Sequence, residues 1–141
     1  MEKKEYKKEY KKSYWGLIWL FIIYFVVLTG AVFLPYSAKI MTLVTMNIST
    51  IWFVALTFVI YKTEKIYWYT GLFYEDVKDL PSEVRREYGR KHVVRFAWFA
   101  LFYLVYSVVS YWQNLSIAID ITVMCVGVMA VAISTMRIKL E

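Results

Sequence analysis

The chain has 141 residues, of which 60% are hydrophobic and 20% aromatic, with a net charge of +6 and a mean hydropathy of +0.48. A soluble domain of this length keeps much of its surface wet and has no place for so much apolar side chain. The values exclude a disordered chain, a disulfide scaffold (Cys125 is the single cysteine) and a soluble nucleic-acid binder, and predict an all-α polytopic integral membrane protein.

Residues 1–14 form a basic segment whose KKEYKKEYKKSY repeat places Tyr6, Tyr10 and Tyr14 four residues apart. On a helix these rings share one face, with lysines over the rest, which suits anionic lipid. A solvated topology signal is the equal alternative. Four apolar runs follow, at 15–34, 40–61, 93–112 and 115–136. Each is close to the roughly 20 helical residues that a hydrocarbon core about 30 Å thick requires. None alternates as a barrel strand does, so four transmembrane helices in two antiparallel hairpins are expected. A cleaved signal peptide ending near Thr29 and Ala31 is the less favoured reading of the first run, which is longer than usual for one.

The basic residues set the orientation. Lysines and arginines crowd residues 1–14, the loop 62–92 with Arg95, and the tail 137–141, whereas Lys39 alone lies in the turns at the opposite end. The expected topology is therefore N-in and C-in, with loop and tail cytoplasmic.

The loop 62–92 is the one sizeable extramembrane segment between spans. Its first half, with Tyr67, Trp68, Tyr69, Phe73 and Tyr74 around a Thr70-Gly71 turn, suits the membrane interface. Its second half opens a helix, with Pro81 at the first turn, Glu83 at the positive end and Gly89 as a point of bending, and runs into the third span. The loop is read as a cytoplasmic docking surface through Trp68, Tyr69, Phe73, Tyr74, Glu83 and Arg86.

Small and polar residues at helical spacing mark packing faces in lipid. In the fourth run the stripe is Ser116, Asp120, Val123, Gly127, Ala130 and Ser134; in the third it is Phe96, Ala100, Tyr103, Ser107, Ser110 and Asn114; in the second it includes Leu43, Asn47, Thr50, Val54, Thr57 and Tyr61. The third and fourth stripes are expected to face each other across a turn of two residues, and the nearly all-apolar first run to have the most lipid contact. Asp120 is the one acidic residue within a span. Five residues in from the outer end, at about 1.5 Å each, it lies roughly 8 Å deep. A polar cluster of Asn47, Ser107, Ser110 and Asp120 is expected there, with Lys39 snorkelling in as counter-ion.

Other chemistry has little behind it. One histidine and one cysteine do not make a zinc site, and Glu75, Asp76 and Asp79 lack the spacing of a calcium loop, so no metal or cofactor is expected. His92, with Arg and Lys neighbours and no nucleophile in line, is placed in the headgroup zone, and Cys125 in helix packing. Asn47 and Asn114 sit in N-x-S patterns but too close to the membrane for glycosylation.

The stretch carrying the tyrosine-rich turn, the acidic residues and LPSEVRREY resembles loops of small membrane proteins of Gram-positive bacteria, some of which are immunity or accessory factors for secreted toxins or transporters. The resemblance implies an accessory or immunity-type factor in a bacterial cytoplasmic membrane; with the loop's aromatics and charges it favours a contact protein that binds another membrane protein or copies of itself, its basic segments meeting anionic lipids. A small oligomeric transporter or channel using Asp120 is the alternative, and a lipid-modifying enzyme using His92 is the weakest of the three.

Overall fold

A computed structural model describes residues 10–69 and 71–140, and among these the secondary structure is entirely helical. Helix α1 spans Trp15–Val32, α2 Ala38–Thr63, α3 Tyr74–Val77, α4 Ser82–Trp112 and α5 Ile117–Met136, with a 3-10 turn at Ile66–Trp68. Helices α1, α2, α4 and α5 are long and apolar enough to cross a membrane. The element ends follow local chemistry. Ser37 and Ser116 cap α2 and α5 by accepting from the amides of Ile40 and Ile119, both at 3.4 Å. Glu64, at φ 60°, stops α2 in the left-handed region. The Asp76 carboxylate holds the start of α3 by accepting from the Phe73 amide at 3.3 Å.

Helix α4 begins directly after Pro81 and continues through the polar stretch into the apolar one as a single element. It passes Gly89 unbroken. That glycine serves a close crossing: a Cβ there would stand 3.0 Å from the Tyr61 Cα of α2. The turn between α4 and α5 is longer than the expected two residues. It runs over 113–116, with Asn114 at φ 52° and the Leu115 amide donating back to the Ser110 carbonyl at 3.0 Å.

The most extensive helix interface joins α2 to α4, with α1 against α2 and α5 against α4 as the lesser ones. Stripe residues Leu43, Thr50 and Thr57 of α2 and Tyr103, Ser107 and Ser110 of α4 are buried there, joined by Ile60 and Phe99 from beside the stripes. Helix α5 meets α4 at Gly127, where a Cβ would come within 2.3 Å of the Phe99 ring. Two residues of α5 expected to pack against a neighbour do not. Ala130 of the stripe is exposed, the buried edge of α5 passing through Met124 and the half-buried Val131, and Cys125, outside the stripe, also faces outward. Ala100 and Ser134 are half-buried, the Ser134 hydroxyl donating to its own Val131 carbonyl. Helix α1 is the most exposed of the four and is tied to α2 by Trp52 Nε1, which donates to the Leu20 carbonyl at 3.1 Å, and by a Tyr24–Ser49 hydroxyl pair at 2.9 Å.

A second core closes one end of the bundle. Ile66, Tyr67 and Val77 pack with Ile60, Tyr88 and Ile138, and Tyr10, Tyr69, Tyr74 and Leu140 cover them. Tyr67 is clamped to the chain start, its hydroxyl donating to the Ser13 carbonyl at 3.0 Å and accepting from the Ser13 amide at 2.8 Å. Tyr10 donates to the Glu64 carbonyl at 2.8 Å and stacks on Tyr74. Arg85 lies over the Tyr10 ring at 4.2 Å and pairs with Glu64 at 3.0 Å. Residues Tyr10 to Tyr14 are thus not helical: cross-chain hydrogen bonds outcompete an isolated turn. Tyr6 lies outside the described residues.

Candidate functional site

At the end of the bundle away from that cap, Ser37 starts α2 and the 113–116 turn joins α4 to α5, which brings Lys39, Ser110, Leu115 and Asp120 together. The Lys39 Nζ donates to Ser110 Oγ and to the Leu115 carbonyl, both at 2.7 Å, and forms an ion pair with Asp120 Oδ2. Ser110 donates to Asp120 Oδ1, which also accepts from the Tyr106 hydroxyl at 3.0 Å. The lysine side chain is 15% exposed and the aspartate fully enclosed. Both carboxylate oxygens and all three ammonium hydrogens have partners, the arrangement that a charge pair in lipid requires.

Asn47 and Ser107 form a deeper layer. The Asn47 amide donates to Ser107 Oγ and to the Leu43 carbonyl, both at 2.8 Å, and Ser107 donates to the Tyr103 carbonyl at 2.7 Å. The Tyr103 hydroxyl points to Met46 Sδ at 2.9 Å and marginally to the Asp120 carbonyl at 3.5 Å, which connects the two layers. All five residues expected in the polar cluster therefore take part, in two tiers instead of one. Tyr106 and Tyr103 complete it. A phenol can line an apolar face with its ring and still deliver a hydroxyl inward, and Tyr106 falls three residues after Tyr103, beside that stripe, which is the signal that could have found it.

Asn47 and Ser107 also line a groove of about 520 Å³ between α2 and α4, otherwise bounded by apolar side chains such as Leu43, Ile51, Leu104 and Tyr111. Both Asn47 amide hydrogens are used within the bundle, whereas its Oδ1 accepts from no described residue.

The loop residues divide. Phe73, Glu83 and Arg86 are exposed, Arg86 standing 5.8 Å from the Tyr61 ring centre. Trp68, Tyr69 and Tyr74 turn into the cap: Trp68 donates to the Ser13 carbonyl at 3.1 Å, Tyr74 donates to the Tyr10 carbonyl, and Tyr69 stacks on His92 at 4.1 Å. His92 is buried, its Nδ1 3.0 Å from the Tyr88 carbonyl, and so packs within this core. The Tyr69 hydroxyl is buried without a hydrogen-bond partner among the described residues, and burial pushes its phenol well above the ordinary range. On α3, the Lys78 ammonium holds the Glu75 carboxyl below the usual carboxylate range. No family model, curated protein or solved structure matches the chain.

Proposed function

We propose that this chain is a small multi-pass protein of a bacterial cytoplasmic membrane that acts by contact with another membrane protein, without catalysis. In this reading the four long helices form two antiparallel hairpins, N-in and C-in, and the cap with its exposed Phe73, Glu83 and Arg86 lies on the cytoplasmic side. The excess of lysine and arginine at the cap end, against Lys39 at the other, supports that orientation.

The observation that carries the reading is the groove between α2 and α4. An apolar channel with one open acceptor, Asn47 Oδ1, suits a transmembrane helix that brings a hydroxyl or amide donor to that depth. Transport through Asp120 draws no comparable support, because the carboxylate is enclosed and its oxygens are already engaged by Lys39, Ser110 and Tyr106.

The experiment is photo-crosslinking in cells from a benzoylphenylalanine placed at Val44 in the groove, compared with one at Trp98, which is 67% exposed on α4. A discrete protein adduct from Val44 and none from Trp98 is expected. An adduct of twice the chain's mass would make the partner a second copy, and equal diffuse labelling at both positions would overturn the proposal.

A further inference from the structure

Beside the cap, Lys91 and Arg95 of α4 and Arg137 and Lys139 of the tail line a cleft of about 340 Å³. Four cations share it. Lys91 has a 4.0 Å pairing with Glu87, while among the described residues no carboxylate pairs with Arg95, Arg137 or Lys139. The Nη1 of Arg95 is buried and has no hydrogen-bond acceptor among the described residues. Buried N–H donors nearly always find a partner, and one left unmade costs more than an average hydrogen bond gains. The cleft therefore has a like-charge cluster to neutralise, and one of its lining arginines has a guanidinium nitrogen with no acceptor among the described residues.

Its position along the helices says which anion fits. Arg95 is the last charged residue of α4, with an uncharged stretch from Phe96 to the helix end, and Arg137 follows directly on Met136, the last residue of α5. Both stand at the step from apolar to polar sequence, the level of the lipid phosphates. The planar fork of arginine matches phosphate oxygens better than a point charge does.

We propose that this cleft binds the phosphate group of an anionic phospholipid, with Arg95 and Arg137 as the donors to its oxygens and Lys91 and Lys139 as flanking charges. The site is separate from the α2–α4 groove and stands or falls without it.

The test uses the full chain in neutral detergent, titrated in parallel with phosphatidylglycerol, phosphatidylcholine and inorganic phosphate, with adducts counted by native mass spectrometry. One saturable phosphatidylglycerol adduct is expected. Each interfacial cation contributes on the order of fivefold in affinity, so Arg137→Gln with Lys139→Gln weakens that adduct about thirtyfold. Arg137 and Lys139 are exposed, so this variant tests the site without disturbing the core. Lys62→Gln with Arg86→Gln removes the same charge from exposed positions outside the cleft and leaves the adduct unchanged. Equal weakening in the two double variants, or equal binding of phosphatidylcholine, would overturn the proposal. Inorganic phosphate binding as tightly as phosphatidylglycerol, with loss in the same variant, would overturn the assignment to lipid.

Discussion

Replacing Asp120 by Asn keeps the shape and one acceptor of the side chain but strands the Lys39 ammonium, which has no other carboxylate partner among the described residues and a side chain only 15% exposed. An ion pair about 4 Å apart is worth on the order of 4 kcal/mol at an effective dielectric near 20. Ser110, the Leu115 carbonyl and the new amide return part of it as hydrogen bonds. The expected net loss is about 3 kcal/mol, at the lower end of what breaking one side of a buried pair costs. Lys39→Met leaves the enclosed carboxylate with the Ser110 and Tyr106 donors and the option of protonating, so it is expected to cost less, about 2 kcal/mol. The double variant removes both charges and is expected within about 1 kcal/mol of the parent, because burying neither ion saves two desolvation penalties. The coupling is read from a double-mutant cycle in mixed dodecyl maltoside and SDS micelles, with unfolding followed by far-UV circular dichroism. A single variant Asp120→Asn as stable as the parent, or a double variant whose loss equals the sum of the singles, would refute the reasoning.

Further expectations follow from individual contacts. Gly89→Ala brings a Cβ to 3.0 Å from the Tyr61 Cα, whereas at Gly30 nothing lies within 4 Å; the first should be less stable than the second by about 1–3 kcal/mol in detergent melting. Gly127→Leu drives into the Phe99 ring while Val126 is 55% exposed, so Val126→Leu should leave the yield of folded protein intact and Gly127→Leu should lower it. Tyr69→Phe deletes a buried hydroxyl that has no partner among the described residues and should raise stability by about 1 kcal/mol in the same melts. Glu64→Gln, against an Arg85 side chain 10% exposed, should loosen the cap by about 1–3 kcal/mol, while Glu75→Gln, in an exposed pair, should be silent; limited proteolysis of the loop separates the two.

The four long apolar helices were legible because a hydrocarbon core imposes length and apolarity directly on sequence. The Asp120 site was legible for a related reason: the counter-ion of a carboxylate in lipid must be local in depth, and rise per residue converts chain position into depth. The cap was not. The loop rings were read for their preference for headgroups and Tyr10 for a helical face, and neither reading reveals that Tyr67 is held by Ser13 and Tyr10 by Glu64, contacts 54 residues apart that no local pattern encodes. Ala130 shows the same limit on a smaller scale. The stripe stepped from Gly127 to Ala130 on residue size, whereas in the folded helix the buried edge moves on to Val131.

The Lys39–Asp120 pair also imposes an order of events during synthesis. Its partners are separated by 81 residues, which at about 5–20 residues per second is roughly 4–16 s of elongation. For that interval Lys39 lacks Asp120, so in the proposed N-in, C-in arrangement its charge stays hydrated at the outer surface. It is drawn inward only when the last helix arrives. Any nascent chain stopped before that helix carries this cation without its acid, a chemical mark of incompleteness that the finished protein conceals.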